Sequence, residues 1–282
     1  LIDSNNMAIM SMRSQVVFQK GEIRGCLGCH ENRRTAPVPT KSFMKVLPHQ
    51  LQPVPGPDIA HGFSFAAVVQ PVLDKYCISC HGLNGNAGNL NLIGTPTEYF
   101  NNAYEQLVSR KGLVALARRK EETNASEPKD YGSHAGMLAS FLLNEHKKFI
   151  SIPSNDFERI TTWLDLNAPY YGDYNFIKPE RRKISEKDII KIKTYLKELN
   201  YSHFGDIDRT PPAALINIAA PLESRALNLP LSINAGGWAI SNYLWSSRTD
   251  PAYLQLLSLI TNAIHNSQPI PLNKSPDDAF VY

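Results

Sequence analysis

The chain has only four cysteines among 282 residues, and they are paired at close spacing rather than scattered as a disulfide framework would want. It has no excess of one charge: 29 basic side chains face 26 acidic ones, and a net charge of +3 is too mild to argue for nucleic acid. It contains no run of eighteen apolar residues, which excludes a spanning helix on sequence grounds. No phosphate-binding glycine loop, no nucleophile elbow and no clustered metal-ligating histidines occur. Hydrophobic residues at 43% with 20% charged residues exclude a disordered or fibrous chain. The first residue is Leu1, so a longer precursor is expected.

What is present is concentrated in the cysteines. All four fall in two copies of one pattern, Cys26-Leu27-Gly28-Cys29-His30 and Cys77-Ile78-Ser79-Cys80-His81. This C-x-x-C-H spacing is that of c-type heme attachment. Two thiols a short turn apart add across the two vinyl groups of one porphyrin, and the following histidine ligates the iron. At this composition about 0.002 copies are expected by chance. Two alternatives use the same residues. Four thiolates, Cys26, Cys29, Cys77 and Cys80, would make a zinc site, and a C-x-x-C pair is also a dithiol redox motif. The sequence favours two covalently attached heme c groups. In bacteria heme is attached outside the cytoplasmic membrane, so a periplasmic, outer-surface or secreted location follows.

The expected fold is mainly α with long irregular loops, a c-type cytochrome organised around two hemes. Three segments are read: 1–62, a first heme-binding segment with a proline-rich connector; 63–175, a second heme-binding helical domain; and 176–282, a mostly helical C-terminal region packing on the heme core. Residues 1–20 read as an extended or hairpin segment. Six prolines between Pro37 and Pro57 make the connector extended. Ser64 is placed to cap a helix whose apolar side carries Val68, Val69, Val72, Leu73 and Tyr76, with Pro71 opening its better-formed half. The Gly- and Asn-rich stretch Gly82–Gly94 reads as a tight loop. Helices are predicted over 98–120, 133–148 and 155–166, the last stopped by Asn167-Ala168-Pro169. Ser185 and Asp250-Pro251 open two more.

His30 and His81 are the expected proximal ligands. For the second heme, His146 is the leading distal candidate, because it follows Leu142 and Leu143 by about one turn. His134 is the runner-up. For the first heme, His49 and His61 are local candidates, with Met44 behind them. Arg24, Arg33 and Arg34 are suited to pair with heme carboxylates or simply to face solvent. The aromatics Trp163, Tyr170, Tyr171 and Tyr174 read as core. Between Lys178 and Lys193 seven cationic side chains meet three acids, which reads as a solvated face, with docking of an acidic redox partner as the second reading.

The stretches MRSQVVFQKGEIRGCLGCHENR, FSFAAVVQPVLDKYCISCHG, YGSHAGMLASFLLNEHKKF, RITTWLDLNAPYYGDY and PAALINIAAPLESRALNLPLSINAGGW, in this order, resemble the heme-bearing C-terminal half of hydrazine synthase alpha subunit-like proteins. These are planctomycete-type multidomain cytochromes. The resemblance runs over roughly residues 3–265, and it also implies a recurrent histidine at His146. It implies a diheme protein in which this region follows a β-propeller. The synthase's catalytic heme has a tyrosine ligand shortly after its motif, with a zinc held partly by the motif histidine. Here Arg34 stands four residues after His30, and no tyrosine occurs between His30 and Tyr76.

The expected function is therefore electron transfer between two hemes and to other heme proteins or to copies of the chain itself in a self-associated array. No nucleic acid or membrane span is expected. An alternative is a redox enzyme acting on a small nitrogen compound or peroxide at an open first heme. A third is a sensor or a module in which heme is a structural staple.

Overall fold

A computed structural model describes residues 2–11, 19, 21, 62–117, 127–173 and 181–271. The chain divides into two compact units, Leu1–Met10 with Val54–Tyr282, and Ser11–Pro53. The second unit lies almost wholly outside the described residues, as do the first C-x-x-C-H motif and the proline-rich connector.

The first unit is mainly helical. Its helices are α1 (Gln70–Tyr76), α2 (Asn102–Ser109), α3 (Met137–Leu143), α4 (Ser154–Asp165), α5 (Glu186–Glu198), α6 (Arg225–Asn228) and α7 (Pro251–His265). Two two-residue strands, β1 (Arg182–Lys183) and β2 (Gln268–Pro269), pair antiparallel. Among the described residues no helix is long and apolar enough to cross a membrane.

A wide π-turn, Phe65–Val69, leads directly into α1. Ser64 stands at its N-cap with extended backbone, but its side chain makes no capping bond. Proline explains the need for outside help here. In the π register the amide of residue 71 would meet the carbonyl of Ala66, and Pro71 has no amide to give. The Asn217 side chain donates to that carbonyl instead, at 2.8 Å, and the buried Arg159 donates its Nε to the carbonyl of Val68 at 2.6 Å. Both donors come from distant parts of the sequence.

The first apolar core gathers the π-turn, α1, α2 and α4. Phe65 lies at its centre, its ring 5.0 Å from Trp163 and 5.3 Å from Tyr104. The polar atoms of these aromatics are satisfied: Tyr104 donates to Ala168 O at 2.9 Å, and Trp163 Nε1 donates to Pro169 O at 3.1 Å. Trp163 and Tyr170 are thus core, as expected; Tyr174 lies outside the described residues. The second core joins α5 and α7 through Ile192, Leu196, Leu256 and Ile260, with Leu227 and Trp245 beside them. Each such side chain stabilises the fold by roughly 1.5–3 kcal/mol through burial.

Several elements end where the chain chemistry demands. α5 begins at Ser185, which accepts from Asp188 N at 3.1 Å, and α7 begins at Asp250, which accepts from Ala252 N at 2.9 Å. α4 stops where Asn167 and Ala168 adopt positive φ, 68° and 52°, before Pro169.

Other elements are shorter than the sequence predicts. The helix expected over 98–120 covers Asn102–Ser109 and gives way to a turn at Gly112. The helix expected over 133–148 covers Met137–Leu143, because Gly132 has positive φ and Asp165 takes the Ser133 amide at 2.8 Å. A separate 3-10 turn follows at His146–Lys148. At the N-terminus a hairpin-like bridge joins Ile2 and Ala8. The basic stretch is not all solvated face. Arg181 is buried, donating to the carbonyls of Thr97 and Ile270, and Arg182 donates to Ser267. These bonds hold the β1–β2 pair, an end use for cations that charge counting does not reveal.

Candidate functional site

The second C-x-x-C-H motif begins as α1 ends. Cys77 N donates to Leu73 O at 2.8 Å, and His81 N to Cys77 O at 2.9 Å, so the motif winds on as a further turn. The loop after it is closed by its own backbone. Ala87 N donates to Cys80 O at 3.1 Å and Leu92 N to His81 O at 2.7 Å. Gly82 has φ +153°, and a Cβ there would meet Ile93 Cγ1 at 2.8 Å, so the return of the chain depends on glycine.

This turn forms the floor of an apolar cavity of about 660 Å³. Cys77, Cys80, His81 and His146 all line it, among walls that include Leu73, Leu107, Phe141 and Trp163. The two imidazoles confront one another: ring centroids are 6.2 Å apart and the planes are inclined by 30°. His81 Nδ1 lies 2.8 Å from the carbonyl of Ala87, which assigns the proton to Nδ1 and leaves Nε2 with its lone pair. His146 Nδ1 is buried with no hydrogen-bond partner among the described residues. Burial pushes the Cys77 thiol up to about 12, with the nearby Asp74 and Cys80 adding to it. Cys80 is exposed at the rim.

The residues present fit a heme. Imidazole side chains of the kind that would ligate a heme iron, His81 and His146, both belong to the lining. The walls are apolar, as a porphyrin plate requires, and two cations, Arg110 and Lys111, belong to the lining. Among the described residues no group of three or more His, Cys, Asp or Glu side chains is placed to hold a metal ion. A porphyrin iron needs none, because the macrocycle supplies four ligands and the protein at most two.

His146 reaches the cavity by a route the sequence reading did not give. It lies beyond the end of α3, in the 3-10 turn, rather than continuing the Leu142–Leu143 helix. His134 does not line the cavity; its Nε2 lies 3.2 Å from Asp3 Oδ2. Cys26, Cys29, His30, His49 and His61 lie outside the described residues, as do Met44, Arg24, Arg33 and Arg34. The sequence reading missed Arg110 and Lys111. Arg110 Nη1 donates to Gly88 O at 2.6 Å, a contact across 22 residues with no local sequence signal.

No family model, no curated protein and no solved structure matches the chain.

Proposed function

We propose that the chain is a diheme c-type cytochrome that relays electrons outside the cytoplasm to other heme proteins or to copies of itself. The observation that carries this reading is the convergence of Cys77, Cys80, His81 and His146 on one apolar cavity, with the imidazole centroids 6.2 Å apart. When bound, heme iron supplies one-electron redox chemistry. The residues then have distinct tasks. Cys77 and Cys80 are the thioether-forming thiols. His81 is the proximal ligand, its ring oriented by the Ala87 carbonyl. His146 would be a second ligand to the iron and would exclude exogenous molecules from it, which favours electron transfer over substrate chemistry at this centre. Leu73, Leu107, Phe141 and Trp163 keep water from the cavity and raise the cost of net charge there. Arg110 and Lys111, both in the lining, would be the cations available to pair with heme carboxylates. Cys26, Cys29 and His30 hold the other heme in the same reading, and the resemblance to hydrazine synthase alpha subunit-like cytochromes supports it.

The test is intact-protein mass spectrometry on chain produced with a periplasmic heme-attachment system. The expected mass exceeds that of the polypeptide by two hemes, and by one heme in the Cys77→Ser/Cys80→Ser double variant. A mass equal to the bare polypeptide would overturn the reading.

A further inference from the structure

The π-turn and α1 form the wall of a second cavity. Val69, Leu73, Tyr76 and Cys77 line the one described above, whereas Ala66, Gln70 and Asp74, spaced by four, line a separate cavity of about 410 Å³. That volume lies within the range of small-molecule sites. Its walls are largely apolar, with Pro211, Pro212, Ile216 and the Tyr170 ring among them.

One group is out of keeping with these walls. Asp74 is 4% exposed, and a buried carboxylate is costly without partners. Only one hydrogen bond from a described residue reaches it, from Gln70 Nε2 to Oδ1 at 2.8 Å. Gln70 is itself fixed, donating to Leu92 O and accepting from Asn101 Nδ2, so it has no freedom to serve Oδ2 as well. Arg225 attracts the carboxylate but makes no direct ion pair with it. The cavity therefore offers an unfilled acceptor at an apolar site. Arg225 already attracts the carboxylate, and Arg182 and Lys183 also line the cavity, so a further cationic head is disfavoured there. A neutral donor is the better match.

We propose that this second cavity binds a small hydroxylated aromatic molecule, with its ring against Pro211, Pro212 and Tyr170 and its hydroxyl donating to Asp74 Oδ2. The flat proline and tyrosine faces suit a ring. The carboxylate selects the hydroxyl over an ether of the same shape, because a charged acceptor rewards a donor and gains nothing from a methylated oxygen. The site does not depend on heme, so it stands or falls apart from the function proposed above.

The experiment is isothermal titration of the full-length purified protein, with whatever cofactor it carries, at pH 8.5. The probes are 4-ethylphenol and its methyl ether, 4-ethylanisole. The expected result is saturable one-to-one binding of the phenol, at least tenfold tighter than the ether, with the heme absorption bands unmoved. Asp74→Asn keeps the volume and the Gln70 bond but turns a donor toward the cavity, and should weaken phenol binding at least tenfold. Equal affinity for phenol and ether in the unsubstituted protein would overturn the proposal, whether or not the variant folds. So would the absence of saturable binding, or binding that shifts the heme bands and so lies at the iron.

Discussion

Asn217 supplies the hydrogen-bond donor that Pro71 withholds. Its side-chain amide meets the carbonyl of Ala66 at 2.8 Å, from 151 residues away. Its own Oδ1 accepts from Ala220 N at 2.9 Å, so the side chain is held from both ends. This bond ties the start of the cavity-lining helix to the C-terminal half of the unit. Asn217→Leu keeps the size and removes the donor, leaving a buried carbonyl unpaired. A loss of about 1–3 kcal/mol in unfolding free energy is expected by chemical denaturation. An unchanged midpoint would mean that the carbonyl finds another donor.

Under the proposed function, His146→Ala opens one axial side of the second heme. Electron paramagnetic resonance of the oxidised protein should then gain a high-spin ferric signal, with heme still attached through Cys77 and Cys80. His134→Ala should leave the spectrum as it was, since His134 faces Asp3. A spectral change in the second variant and none in the first would reverse the ligand assignment.

Asp74 makes stability depend on pH. Burial pushes its carboxyl from 3.8 up to about 7, against the lowering effects of Gln70 and Arg225. The folded state therefore holds the proton to higher pH than the unfolded chain does. The contribution is fully present below about pH 4 and is lost as pH rises through about 7. Asp74→Asn removes the penalty for ionisation, so the variant should gain stability relative to the parent above pH 7, by up to about 4 kcal/mol. Thermal midpoints of the two proteins at pH 5 and pH 8 measure this. A difference independent of pH would show that Asp74 does not titrate between pH 5 and pH 8 in the folded protein.

Asp165 joins three segments. Its carboxylate accepts from Ala8 N at 2.8 Å, from Ser133 N at 2.8 Å and from Ser133 Oγ at 3.0 Å. Asp165→Ala should cost about 3 kcal/mol, because charged acceptors are worth more than neutral ones. Hydrogen exchange should accelerate at Ala8 and Ser133 before it does in α4. Uniform acceleration across the unit would mean that the bonds are not locally decisive.

Gly237 has no room for a side chain. A Cβ there would overlap the carbonyl of Leu231, beside the backbone bond from Gly237 N to Ser232 O at 2.9 Å. Gly237→Ala should destabilise by more than about 2 kcal/mol, since backbone rather than a flexible side chain must yield. A circular dichroism melt with an unshifted midpoint would contradict that packing.

The two C-x-x-C-H motifs, the mainly helical class and the starts of α5 and α7 were legible in the sequence, because the motifs and the helix starts each rest on residues within one turn of one another. Ser185 and Asp250 cap because their oxygens reach an amide two or three residues on. Helix ends were less legible. α2 stops short of a turn at Gly112, and α3 starts only after Asp165 has taken the Ser133 amide, so both outweigh a longer helical pattern. His146 was nameable as a candidate, but its confrontation with His81 joins residues 65 positions apart, and its place in a 3-10 turn is not written in the Leu142–Leu143 spacing. The same limit hid Arg110, Asn217 and the cavity beneath Asp74. Local chemistry fixes what a motif is able to bind. Only the packing of distant segments decides which carbonyl lacks a donor, which carboxylate loses water and which two imidazoles meet.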